Sequence, residues 1–212
     1  MPGFKRMPAN PKMIKNIFLI IICCFFVIDG ASQMGYSNID SKLKYNSDPA
    51  GTDIFCNGSS FYLQFRLGSK SVKLDQGFLL VDSQVIQIAL LRIDGPKKTS
   101  YSLTPQEQHN ILSAYSKYEL DYFTHDLKTE VINPDNQWID TKSGKWLVWY
   151  FRVGDDSSVQ VYKKTVIQLF ASKIIGDMIL DINAPISEEG DFKKAGLIVN
   201  ELMESLTTKS EQ

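Results

Sequence analysis

The chain has 212 residues, 43% of them hydrophobic and 22% charged, with 12 Phe, 9 Tyr, 3 Trp and a formal net charge of −1. That is ordinary globular composition, and a near-zero balance with scattered lysines excludes the basic footprint of a nucleic-acid binder. One domain of about 180 residues buries roughly 70% of its unfolded surface, so its core needs neither a disulfide nor a metal.

Residues 1–32 read as an export signal. Lys12 and Lys15 make a basic n-region, and Ile17 to Ile28 (IFLIIICCFFVI) is an apolar h-region of 12 residues, shorter than the roughly 20 residues a membrane span needs. Gly30-Ala31-Ser32 supplies the small residues for cleavage after Ser32, which leaves Gln33 first; Met13 reads as the natural start. The competing readings are an uncleaved anchor and a lipoprotein, but Ile21 and Ile22 are too large for the site preceding a lipidated Cys23 or Cys24. Cleavage removes Lys5, Arg6, Lys12, Lys15 and Asp29, four positive charges and one negative, and so moves the net charge from −1 to −4. It also leaves Cys56 alone, with no intrachain disulfide open to it, and its neighbours Ile54 and Phe55 mark it as a small buried hydrophobe. The expected location is outside the cytoplasm, periplasmic or extracellular, with the membrane met only through the signal.

After the signal, residues 33–60 form a polar, turn-rich lead-in with one short strand expected at Asp53 to Cys56. Asn57-Gly58-Ser59 matches a glycosylation sequon but reads as an Asn-Gly turn. Phe61, Leu63, Phe65 and Leu67 alternate with Tyr62, Gln64 and Arg66, the period of a half-buried strand. A β-rich region from Val72 to Ile93 breaks at Asp82-Ser83, and its second half, VIQIALLRI, is apolar on both parities and so covered on both faces.

Thr104, Pro105 and Glu107 spell an N-cap, an N1 proline and a capping box. Ile111, Tyr115, Tyr118 and Tyr122, widened by Leu112 and Phe123, then form the apolar stripe of a helix over about 104–126. Lys128 to Ile132 and Gln137 to Ile139 read as short strands separated by Asn133-Pro134-Asp135-Asn136. KWLVWYFRV lies between Gly144 and Gly154, the run ending at Ile175 turns at Gly176-Asp177, and DMILDINAP follows. A last helix over 188–206 places Phe192, Ala195, Val199, Leu202 and Leu206 on one stripe. The two-residue Gly-Asp signal makes the sheet antiparallel here. The expectation is therefore a single α+β domain, 61–206, with a mainly antiparallel sheet, helices on both faces, and a polar tail at 207–212.

This order of elements resembles the Mog1/PsbP-like superfamily. The residues that carry the resemblance are the alternating Met178, Leu180, Ile182 and Ala184, and the terminal Ser205-Leu206. It spans roughly Tyr45 to Leu206 and implies an α/β/α sandwich in an exported bacterial member. The superfamily includes photosystem-associated lumenal proteins and a nuclear-transport regulator, shares no catalytic motif, and has no metal-binding or partner-binding residues that match positions here. Fold analogy does not by itself carry a function.

The search for chemistry nominates no catalytic, cofactor-binding or metal residue. His109 and His125 share one predicted helix and lie roughly 160° apart around it, so they cannot chelate one ion; His125 can meet Asp121 one turn back. Ser41-Lys42-Leu43-Lys44 matches Ser-x-x-Lys without the companion motifs of that enzyme class. Asp155-Asp156 and Glu188-Glu189-Asp191 lack the ligand pattern of a Ca²⁺ loop; the latter group fits the start of a helix. The densest aromatic region gives a candidate contact patch, Trp146, Trp149, Tyr150 and Tyr162: most of it must be core, and whatever stays exposed marks a binding surface. The reading is an exported, non-catalytic binding or accessory domain of the cell envelope whose partner is a protein or envelope component, with no cofactor. The alternatives are an envelope hydrolase working through carboxylates and a carrier of a small apolar ligand.

Overall fold

The computed structural model describes residues 43–48, 50–57, 61–68, 71–74, 78–92, 103–154, 165–187 and 191–210. The export signal, Cys23, Cys24, Ser41, Tyr162, Asp155, Asp156, Glu188 and Glu189 lie outside them. Strands β4 (Ser71–Lys73), β5 (Phe78–Val81), β6 (Gln84–Arg92), β7 (Val131–Thr141), β8 (Gly144–Val153), β9 (Ile167–Ile175) and β10 (Met178–Ile186) make a seven-stranded sheet in the order β4-β5-β6-β10-β9-β8-β7. Every pairing in it is antiparallel. A second antiparallel sheet contains β1 (Leu43–Asp48), β2 (Gly51–Asn57), β3 (Phe61–Leu67) and β11 (Thr207–Ser210), in the order β1-β2-β3-β11. Two helices complete the α+β fold, α1 (Pro105–His125) and α2 (Phe192–Ser205).

The large sheet is apolar on both faces because its central strands carry buried residues on both parities, as the VIQIALLRI run requires. One face, with Ile86, Ile88, Leu90, Trp146, Leu180 and Ile182, packs against α2 and the small sheet. The other, with Leu147, Trp149, Phe151, Phe170 and Ile179, packs against α1. The helices thus lie on opposite faces, as expected. Cys56 is a free, buried thiol in the first core.

Local chemistry explains most boundaries. Thr104 caps α1 with both halves of the box in place: its hydroxyl accepts from the Glu107 amide at 3.2 Å, and the Glu107 carboxylate accepts from the Thr104 amide at 2.8 Å. Gly176, at φ +62°, opens the two-residue β9–β10 turn, where Ile175 pairs with Met178. The stripe of α2 is as expected, with Ala195, Val199, Leu202 and Leu206 buried, and Ser205 Oγ accepts from the Arg66 amide of β3 at 3.1 Å.

Four elements differ from expectation. Thr207–Ser210, expected in a polar tail, form β11 beside β3. The lead-in contains two strands rather than one, β1 and β2, paired antiparallel so that Asp48 meets Gly51. Gly51 is at φ +148° and its Cα faces the Leu67 carbonyl of β3, so only a residue without a Cβ fits. The Asn133 to Asn136 segment is not a turn between two strands. It is a register shift within the single strand β7, with Asn133 at φ +48°; an edge strand tolerates the proline because its outer amides need no ladder partner. The last helix starts at Phe192, after an Asp191 that makes no side-chain cap.

Candidate functional site

The most chemically loaded place among the described residues is the seam between α1 and the sheet. Pairing of β8, β9 and β10 lines up Leu147, Ser172 and Asp181 in one row on the α1 face, with Trp149, Phe170 and Asn183 in the next. The aromatic row forms a shelf: Trp149 stacks on Phe170 with centroids 3.8 Å apart and 5° between planes, and Phe123 of α1 meets Phe151 and Phe170 edge-on at 5.0 and 6.1 Å.

Asp181 stands in the neighbouring row, only 5% exposed in the middle of a largely apolar strand. Buried carboxyls need partners, and this one is enclosed by donors. Ser172 Oγ donates to Asp181 Oδ1 at 2.6 Å, Trp149 Nε1 donates to Ser172 Oγ at 3.2 Å, and the Tyr115 side chain makes a further hydrogen bond to Asp181. Tyr115 comes from α1, so the network bridges helix and sheet.

One turn after Tyr115, on the same side of α1, is Glu119. It is half-buried, and its carboxyl senses the charge of Asp181. Burial, aided by the charge of Asp181, pushes the Glu119 carboxyl up to about 8. Burial raises Asp181 to about 7 against the opposing pull of the Ser172 and Tyr115 hydrogen bonds. Tyr118 is also raised, chiefly by burial and then by Glu119.

Energies of similar size meet here. Burying Leu112 and Phe123 contributes roughly 1.5–3 kcal/mol each, whereas two like charges near one another in a part-buried seam repel by on the order of 1–3 kcal/mol at an effective dielectric near 20. Ionising both groups therefore opposes about one large side chain's worth of docking. The pair favours sharing protons over carrying two charges.

The aromatic quartet is divided by the fold. Trp146 is fully buried on the α2 face, with Nε1 donating to Ser143 Oγ at 2.9 Å, and Trp149 is 2% exposed on the α1 face. Alternation along β8 puts them on opposite sides of the sheet, so these two make core rather than contact surface. Tyr150 is half-buried, donates its hydroxyl to Asp135 at 3.3 Å and lies edge-on to Phe192 at 5.5 Å. The histidines do not converge either. His109 stacks on Trp138 at 4.7 Å, and the Nδ1 of His125 meets the Asp121 backbone carbonyl at 3.0 Å instead of its carboxylate. Among the described residues no three His, Cys, Asp or Glu side chains are grouped to hold a metal ion.

Glu119 and Asp181 did not emerge from the sequence reading, although each left a trace. Asp181 follows Ile179 on the parity opposite to Met178, Leu180 and Ile182, on a strand that needs both faces apolar, and the buried side of α1 runs Leu112, Tyr115, Ser116 and Phe123, a stripe that passes through Glu119. The expected stripe, drawn through Ile111 and Tyr118, was centred one residue off.

In comparisons with known proteins, no family model and no curated protein matches. Among solved structures the chain is similar to cyanobacterial PsbP (CyanoP) from Synechocystis sp. PCC 6803, at 14% identity and a TM-score of 0.42, over 79% of this chain and 93% of that one.

Proposed function

We propose that the protein is an exported, non-catalytic binding domain of the cell envelope that docks to a protein or envelope component. The observation that carries this reading is the state of Asp181. The most perturbed buried acid in the sheet is 5% exposed and held by Ser172 and Tyr115, which ties it to the architecture and away from any substrate. The n-region, h-region and small residues of the leader support export. The half-buried Tyr150 beside Asp135 and Phe192 is the member of the aromatic quartet available to a partner among the described residues.

One observation favours a second reading, the envelope hydrolase: two carboxyls, both raised toward neutral pH by burial, lie at one helix–sheet seam. The apolar-ligand carrier has less support, because stacked rings of Trp149, Phe151, Phe170 and Phe123 fill the interface that would have to hold the ligand. The test is capture of the full chain, tagged at its C-terminus and expressed in its native host, with mass spectrometry of what accompanies it. A near-stoichiometric envelope protein, retained by the Glu119→Gln chain and lost from the Tyr150→Ala chain, supports the binding domain. Turnover of an ester, amide or glycoside panel by the wild-type chain, absent in folded Glu119→Gln, would instead establish the hydrolase.

A further inference from the structure

We propose that Glu119 and Asp181 form a proton-held latch: while the two carboxyls keep protons between them α1 stays closed on the sheet, and their loss releases the helix. The geometry comes first. Tyr115 and Glu119 sit one turn apart on one side of α1, Tyr115 bonds Asp181, and Asp181 is anchored by Ser172 in the centre of the sheet. The latch therefore joins the middle of the helix to the middle of β10.

No cation stands ready to neutralise it among the described residues. From β10 the facing groups are Asp181 and neutral Asn183; from β9, Ser172; from β8, Trp149; from β7, neutral Asn136 and Trp138, with Asp140 nearer the strand's end; from β6, the Asp181 partner Ala89 and neutral Gln87. On α1 the neighbours are Tyr115 and Tyr118, with Asp126 beyond them, while Lys117 is exposed. Lys173, adjacent to Ser172, points to the opposite face, where its ammonium lies 5.7 Å from the Trp146 ring centre. Lys145, at the end of β8, is exposed and pairs with Asp140 of β7 at 3.8 Å.

Proton demand agrees with the geometry. Glu119 rises from an ordinary 4.5 to about 8 and Asp181 from 3.8 to about 7 in the folded chain. Both are acids whose folded value lies above the unfolded one, so the folded state holds excess protons between about pH 4 and pH 8. Stability from this source is complete at the acid end, declines as pH rises through the window, and is fully lost above it. Release of α1 uncovers Leu112 and Phe123 on the helix and Trp149, Phe151 and Phe170 on the sheet, an aromatic surface offered only after proton loss.

The test uses the full chain in urea unfolding and amide hydrogen exchange from pH 5 to pH 9. Each excess proton makes the folded-to-unfolded ratio fall tenfold per pH unit, and with both carboxyls raised the wild-type chain is expected to show about two such protons near pH 6. Glu119→Gln should flatten that slope, match the wild type at pH 5 and exceed it at pH 9. Asp181→Asn, a second isosteric change, should flatten it independently. Corrected for intrinsic rates, exchange protection of α1 should drop at least tenfold by pH 9 while β9 and β10 keep theirs. Equal pH slopes in the wild type and Glu119→Gln, or a loss of protection shared equally by helix and sheet, would overturn the latch.

Discussion

Ser172→Ala is the perturbation that most directly weighs the buried network. Ser172 is fully buried, donates to Asp181 at 2.6 Å and accepts from Trp149 Nε1 at 3.2 Å. Alanine removes both bonds and leaves the Trp149 N–H without an acceptor in a residue that is 2% exposed. An orphaned buried donor costs about 1–3 kcal/mol, and a lost bond to a carboxyl group about 1–2 more, so the expected loss is about 3 kcal/mol. For a domain of this size that lowers the melting midpoint by roughly 6–12 °C. The comparison is Ser143→Ala, which removes the Trp146 Nε1 bond of 2.9 Å together with the Ser143 Oγ bonds to the Met203 carbonyl and Thr141 Oγ1, each 2.9 Å, but touches no carboxyl; its expected loss is about 2 kcal/mol. Urea unfolding followed by tryptophan fluorescence measures both, with an unchanged m-value as the check on two-state behaviour. If Ser172→Ala loses under about 1 kcal/mol, or no more than Ser143→Ala, the network contributes nothing beyond ordinary hydrogen bonding and its role at the seam falls.

Other substitutions test separate links in the fold. Leu180→Ala removes a side chain with no exposure from the centre of β10 and should cost about 2–5 kcal/mol in the same urea assay; a loss under about half a kcal/mol would displace that strand from the core. Thr104→Ala deletes the hydroxyl half of the α1 capping box and should cost about 1 kcal/mol, read as a lower urea midpoint at constant slope. Gly196 sits inside α2 with nothing within 4 Å of where a Cβ would be. Gly196→Ala should therefore stabilise the protein by about 0.5–1 kcal/mol, and destabilisation would mean that this surface of α2 is occupied.

The parts of the fold that were legible in the sequence are those fixed by local chemistry. Thr104 and Glu107 close a capping box within one turn, Gly176-Asp177 sets a two-residue turn, and Ala195, Val199 and Leu202 declare which side of α2 is buried. The misread elements share a different cause. Asn46 to Asp48 and Asn133 to Asn136 carry turn-forming residues, yet in the fold the first belong to β1 and the second to an edge-strand bulge, and only the neighbouring strand decides between those outcomes and a loop. The same holds for the seam. Glu119 and Asp181 lie far apart along the chain and are brought together by α1 crossing a sheet whose order is β10-β9-β8-β7. Aromatic density was likewise a signal for burial, since Trp146 and Trp149 stack into cores on opposite faces.

The two faces of the large sheet are held by different physics. On the α2 face the contacts are apolar, and the polar bonds beside them, Ser205 to the Arg66 amide and Glu201 to the Gly68 amide at 2.5 Å, stitch α2 to the small sheet through backbone donors. Hydrophobic burial is insensitive to proton concentration, so most of what holds that face does not depend on pH. On the α1 face an aromatic shelf of similar apolar character shares its seam with two carboxyls. A domain built only for stability would fill those positions with leucine, because replacing buried ionisable groups with well-packed apolar ones is commonly neutral or stabilising. Glu119→Leu, a substitution that leaves α2, the small sheet and the Ser172–Asp181 bond untouched, should therefore raise stability most at alkaline pH, read in urea unfolding at pH 5 and pH 9. Asp181 has to stay, because an apolar side chain there would leave the buried Ser172 and Tyr115 hydroxyls without their acceptor, and a Glu119→Leu chain that loses stability at pH 9 would mean that the Glu119 carboxylate is not a burden on the seam.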